Sequence, residues 1–307
     1  MLIGIVFVCI ISLRKSDPAT RKVALGRDLF FDPVLSIDST VSCASCHKPE
    51  FAFADTVAFS TGVHGHHGLR NTPSVMNMSA RSAFFWDGRA ANLQGQALFP
   101  MSDTNEMALP VAIAVQRLNR SARYSRLFYE AFRQRPNKYN IGLALAAFEK
   151  TLETANTPND RWLSDKPGGL TEQQREGRVI FLGKGQCNEC HFSPDFTGDE
   201  FRNIGLFNGK EWNDSGRYKH THKLTDLGKF KVPGLRNVAI TAPYMHNGKF
   251  RTLKEVIEYY NNPDAVVPDA INRDSLLRQP LHLTEQEKAN LETFLHALTD
   301  DQFIPKK

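Results

Sequence analysis

Apolar side chains recur every three or four positions in three stretches, the spacing of a helix with one buried face. In IGLALAAFEKTLE, residues 141–153, Ile141, Leu145, Phe148 and Leu152 share that face, and Asn140 stands where an N-cap belongs. EQQREGRVIF, residues 172–181, opens behind Thr171, which forms a capping box with Gln174. A second box, Thr284 with Glu287, precedes a helix that should bury Leu291, Phe294, Leu295 and Leu298. Long period-two alternation is absent, so the chain reads as mainly α with long loops. The apolar run LIGIVFVCIIS at 2–12 is short for a bilayer span and suits a signal-peptide core or an N-terminal anchor. Polar, Pro and Gly residues cluster in TANTPNDRWLSDKPGG, 154–169, and mark a boundary.

The pattern repeats. GRDLF at 26–30 answers GRVIF at 177–181, and CASCHKPEF at 43–51 answers CNECHFSPDF at 187–196. GLRN at 68–71 recurs at 234–237, and AFFWDGRAANL at 83–93 resembles APYMHNGKFRTL at 242–253. Ordered recurrence points to two related domains in tandem. The organisation expected is a leader at 1–22, one domain at 23–165 and another at 166–307.

Composition changes this little. The 307 residues are 41% hydrophobic and 23% charged, enough for two cores. A net charge of +5 without a Lys/Arg block gives no argument for nucleic acid. Of five cysteines, four lie in the two CxxCH units and Cys9 in the leader, so no pair remains for a disulfide. The Ile-Ile after Cys9 disfavours lipidation there.

CxxCH has a specific chemistry. Two thiols three residues apart reach both vinyl groups of one porphyrin, and the next residue lies under the iron. Cys43 and Cys46 would therefore attach one haem c above His47, and Cys187 and Cys190 another above His191. Zinc would want more ligands near each motif, and a redox dithiol would want a βαβ scaffold. A haem also supplies the apolar core around which long loops can order. Covalent haem c further implies export to the periplasm, with the N-terminus cleaved or retained as an anchor.

The repeat also addresses the opposite face of each iron. Gly88 and Gly248 correspond, as do Leu93 and Leu253, and twelve residues beyond each glycine stand Pro100 and Tyr260. Tyrosine can ligate iron and proline cannot. One haem would then be closed and the other open to a small molecule. Tyr259 and, more weakly, Met245 are the alternatives to Tyr260. His246 could face a haem edge or only pack, and Arg70, Arg89 and Arg236 could pair with haem propionates or with nearby acids.

LFFDPVLS, SCASCH, GLRNTPS, FFWDGRAANL, QALFP, NEM and KVPGLRNVAITAPYMHNG together resemble the bacterial di-haem cytochrome c peroxidase superfamily, MauG-type enzymes included. The resemblance covers nearly the whole chain after the leader. It implies two cytochrome c-like domains, with hydrogen peroxide reduced at the N-terminal haem and electrons relayed through the C-terminal one. It matches Gln96 and Pro100 to the distal pocket, Glu106 to the acid/base, and Trp86 to the position between the haems. A calcium ion would be held by the Asn71 side chain and the Thr241 and Pro243 carbonyls. The donor would be a small cytochrome c or cupredoxin, and homodimers are common in the family. Many members close the resting N-terminal haem with a loop histidine. Here Val63 falls at that position with His64 adjacent and His66 and His67 close by, so either the iron is open or His64 binds it. Two other activities stay in view: a MauG-like oxidase that modifies a partner protein, favoured by Tyr260, and a plain di-haem electron carrier.

Overall fold

The computed structural model describes residues 17–304. The apolar run at 2–12, Cys9 and any anchor lie outside them. Among the described residues, no helix is long and apolar enough to cross a membrane. Twelve α-helices follow in order: α1 (Pro18–Phe31), α2 (Cys43–Cys46), α3 (Leu93–Gln96), α4 (Phe99–Ser102), α5 (Val111–Arg120), α6 (Ala122–Phe132), α7 (Lys138–Glu149), α8 (Pro158–Leu163), α9 (Glu172–Leu182), α10 (Tyr218–Thr221), α11 (Leu253–Asn261) and α12 (Glu285–His296). Among the described residues one sheet forms, pairing β1 (Phe201–Arg202) with β2 (Phe230–Lys231), antiparallel.

Local chemistry sets the ends. Asp17 accepts from the Ala19 and Thr20 amides, and Pro18 begins α1, where a missing N–H costs nothing. The boxes expected at Thr171–Gln174 and Thr284–Glu287 open α9 and α12. α7 differs from expectation. Its cap is Asn137, and Asn140 is the third helical residue, whose Oδ1 reaches back to the Asn137 amide at 2.8 Å. The helix also ends at Glu149, before Leu152. Asn140 is polar and capable of capping, but the box needs two such residues three apart, and the earlier one caps.

Two large apolar clusters form among the described residues, with two smaller ones beside them. One gathers Leu29, Phe30, Leu118, Phe128, Ile141, Leu145 and Phe148, and the other Phe181, Ile257, Leu291, Phe294, Leu295 and Leu298. Each is organised by the same crossing. A Cβ added at Gly26 of α1 would fall 1.9 Å from the Ala144 carbonyl oxygen of α7, and one at Gly177 of α9 would fall 1.9 Å from that of Asn290 of α12. Glycine lets each pair approach to backbone contact. Phe30 then meets Phe148 edge-on at 5.2 Å, and Phe181 meets Phe294 at 5.3 Å.

The repeat is thus physical, with one correction. The two GLRN segments do not correspond. Asn77 and Asn237 do: both adopt left-handed backbone (φ 58° and 63°), and their amides donate at 2.8 Å to Leu152 and Leu298. The true partner of GLRN at 234–237 is SVMN at 74–77, and the four-letter match is coincidence.

The stretch at 154–169, expected as a boundary, carries α8. Thr157 and Asp160 cap it reciprocally, and Trp162 packs on the second cluster.

Candidate functional site

One cavity of about 1190 Å³ runs between the two clusters, lined by both CxxCH motifs. It exceeds the roughly 300–1,000 Å³ of an ordinary small-ligand pocket. α2 carries Cys43 and Cys46 and ends at His47, while Cys187–Glu189 form a 3₁₀ turn leading to His191.

Both histidines are oriented alike. His47 Nδ1 donates to the Phe53 carbonyl at 3.0 Å, and His191 Nδ1 donates to those of Phe196 at 2.9 Å and Pro233 at 3.1 Å. Such a bond leaves Nε2 unprotonated and free to ligate. Burial lowers both pKa values, which favours the neutral ring. The four thiols are unpaired, and burial raises them, Cys46 to about 11 and Cys187 to about 12. A redox dithiol would be lowered instead. Among the described residues, no cluster of three or more His, Cys, Asp or Glu could hold a metal ion. Apolar thiol pairs, oriented imidazoles and a large shared cavity fit haem c at both motifs.

On the N-terminal side, α3 presents Gln96, α4 presents Pro100, and the following turn presents Glu106; all three line the cavity. The turn is fixed by the Met107 amide bonding the Pro100 carbonyl at 3.2 Å and the Val63 amide bonding the Glu106 carbonyl at 2.8 Å. Burial, reinforced by Asp103 and partly opposed by Arg89, pushes the Glu106 carboxyl up to about 7. His64 is outside the cavity lining; its side chain is 59% exposed and lies 3.8 Å from Asp38. His66 Nδ1 bonds the Thr104 carbonyl at 3.1 Å and His67 Nδ1 approaches the Thr61 hydroxyl at 3.4 Å. Val63 is buried but does not line the cavity.

On the C-terminal side, Tyr260 of α11 lines the cavity, and burial, with Tyr259 and the Cys190 and Cys187 thiols, raises its phenol. Tyr259 faces away and donates to the Ile204 carbonyl at 2.6 Å. Met245 also borders the cavity.

The halves meet at Trp86. Its indole N–H donates to the Asn71 carbonyl at 2.8 Å, and its own carbonyl accepts from the Lys231 amide at 2.7 Å. The Asn71 amide donates to the His246 carbonyl at 2.7 Å, and the His246 ring stacks on Phe230 at 3.7 Å. Burial lowers the His246 pKa to about 4. Asn71 Nδ2 bonds the Val57 and Ala58 carbonyls at 3.2 and 3.4 Å. Its Oδ1 and the Thr241 and Pro243 carbonyls accept no hydrogen bond among the described residues, and all three residues line the cavity.

The arginines pair with acids. Arg70 grips Asp214 at 2.7 and 2.8 Å and reaches Asp87 at 2.7 Å, where Arg89 joins at 3.0 Å. Arg236 grips Asp160 at 2.8 and 2.9 Å and meets Asp195 at 3.1 Å. Sequence reasoning missed Glu149, a buried carboxyl on the cavity wall. Its signal was present: it sits four residues after Leu145 and three before Leu152, on the face expected to be buried.

Two motif-bearing clusters around one cavity define a di-haem c-type cytochrome. The profile of the di-haem cytochrome c peroxidase family matches residues 20–167. The methylamine utilization protein MauG of Methylorubrum extorquens is 36% identical over 92% of this chain and 80% of its own. The cytochrome c551 peroxidase of Pseudomonas aeruginosa is 33% identical over 94% and 82%. The crystal structure of a MauG-like protein associated with microbial copper homeostasis superposes with a TM-score of 0.84 at 32% identity, covering 93% of this chain and 91% of that one. This chain belongs to the di-haem cytochrome c peroxidase family and is a haem-dependent peroxidase.

Proposed function

We propose that the chain reduces hydrogen peroxide to water at the site above His47, with electrons relayed through the site above His191. The observation that carries this is the asymmetry of the cavity. Around His47 it offers Gln96, a carboxyl that titrates near neutrality, and Pro100 at the place where the C-terminal half has Tyr260; around His191 it offers that phenol. Haem c held by Cys43, Cys46 and His47, and by Cys187, Cys190, His191 and Tyr260, supplies one-electron redox chemistry at iron.

The chain's own residues manage protons and position. Glu106 as carboxylate accepts the first proton of hydrogen peroxide and returns it to the departing oxygen as water, the general acid/base role. Gln96 orients the substrate by its amide, and Pro100 keeps a non-ligating wall over the open site. Two electrons and two further protons complete the conversion to two waters. Trp86, bonded to both halves, lies on the route between them. Asn71 Oδ1 and the Thr241 and Pro243 carbonyls would hold a calcium ion, a hard cation that takes such oxygens. The two halves act as tandem haem domains. The donor is a small one-electron protein such as a cytochrome c or cupredoxin; the name of the P. aeruginosa relative, cytochrome c551 peroxidase, supports the former. Haem c attachment places the mature chain in the periplasm.

Glu106→Gln tests this directly. It should abolish most peroxide turnover and leave both haem spectra intact; unchanged turnover removes Glu106 from the reaction. Tyr260 and the MauG relatives favour a second reading, oxidation of a partner protein's side chains. Rapid peroxide-dependent oxidation of reduced cytochrome c decides for the first.

A further inference from the structure

A glutamate and a leucine occupy matching places in the two halves. Phe148 meets Phe30 as Phe294 meets Phe181, and the residues that follow are Glu149 and Leu295. Both line the cavity, and both are buried, at 4% and 7% exposure. Leucine satisfies the packing in the second half, so packing does not require a carboxyl in the first. Glu149 Oε2 has no hydrogen-bond partner. An unpaired buried carboxyl opposes stability, so its presence at one of two equivalent places points to function.

The helices packed on α7 turn apolar residues inward. α1 turns Leu25, Gly26, Leu29 and Phe30 inward, α3 sets Leu93 against Ala146, and α5 buries Ala114 and Leu118. Glu149 acts electrostatically on Cys43, which Glu106 also influences, and Cys43 becomes a thioether once haem is attached. Burial is the one cause of its shift, and the same cavity is also lined by Cys46, His47, Arg81, Arg89 and Glu106.

We propose that Glu149 is a proton-holding group of the N-terminal haem site, taking up one proton as that haem takes up one electron. The inference rests on haem attachment at Cys43 and Cys46. The electron comes from the donor protein and the proton from solvent, and no net charge enters the apolar site. The C-terminal half, with Leu295, has no such partner and relays electrons without moving a proton. Burial alone pushes the Glu149 carboxyl up to about 8, which puts the exchange within reach of neutral conditions.

The test is a spectroelectrochemical titration of the two-haem protein from neutral to alkaline pH, in a Glu106→Gln background that removes the other carboxyl. The N-terminal haem's potential should fall as pH rises through about 8, and Glu149→Gln should flatten that dependence while Glu149→Asp restores it. The C-terminal haem should be unaffected throughout. A redox-difference infrared spectrum needs no change at Glu149: reduction at alkaline pH should add a protonated-carboxyl C=O band. An identical pH dependence with and without Glu149, or no added band, overturns the proposal. A chain carrying no haem at Cys43 overturns the haem reading itself, and haem counting separates the two failures.

Discussion

Glu106 titrates near neutrality because burial and Asp103 both disfavour its charge. As the proposed base for the peroxide proton it would have to be ionised in the free enzyme. Peroxide kcat/KM should therefore rise with pH through about 7, and Glu106→Gln should remove that limb and about 10²–10⁴-fold of the rate. Glu149 makes a separate prediction about stability. Its folded pKa of about 8 lies above the unfolded value, so the folded chain holds a proton that the unfolded chain releases. Stability falls as pH rises from the ordinary glutamate range to about 8. Glu149→Leu should match the parent in acid and exceed it by a few kcal/mol at alkaline pH, read as Tm against pH. A variant less stable at alkaline pH would contradict this. The cysteines and histidines of both motifs were legible because attachment chemistry fixes their spacing. Glu149 went unread although its position on the buried face of the helix was legible, since an acid on a helix is ordinarily solvated.

Helix crossings, more than helix propensities, hold the two cores. Gly177→Ala drives a methyl into the Asn290 carbonyl, so α9 must lift off α12. It should cost about 1–3 kcal/mol or more in chemical unfolding. Thr284→Ala removes one cap bond and should cost about 1 kcal/mol. Equal small effects would contradict the close crossing. Two capping boxes were read correctly, because a hydroxyl and an acid or amide three residues apart satisfy two amides whatever surrounds them. Asn140 was misread as a cap because two asparagines three apart can each cap, and tertiary packing chooses where the helix begins. The GLRN correspondence failed for a related reason: four letters match by chance, whereas αL backbone at Asn77 and Asn237 and their bonds to Leu152 and Leu298 do not.

At the scale of the molecule, duplication is visible in the sequence as ordered motifs and in the structure as paired crossings. The difference between the halves matters more for function. Counting from Gly88 and Gly248 reached Pro100 and Tyr260, and both line the cavity because α4 and α11 follow the same turn. The ties between halves were not legible: Arg70 to Asp214, Trp86 to Lys231 and Asn71 to His246 join residues far apart in sequence. They fix the separation of the two haem sites, across which electrons must pass. The most direct test of that asymmetry is the absorption and EPR spectrum of the resting ferric protein with both haems attached. One five-coordinate high-spin haem and one six-coordinate haem with tyrosinate character, the latter lost in Tyr260→Phe, is the result expected. Two six-coordinate haems that ignore peroxide, or a spectrum unchanged by Tyr260→Phe, would contradict it.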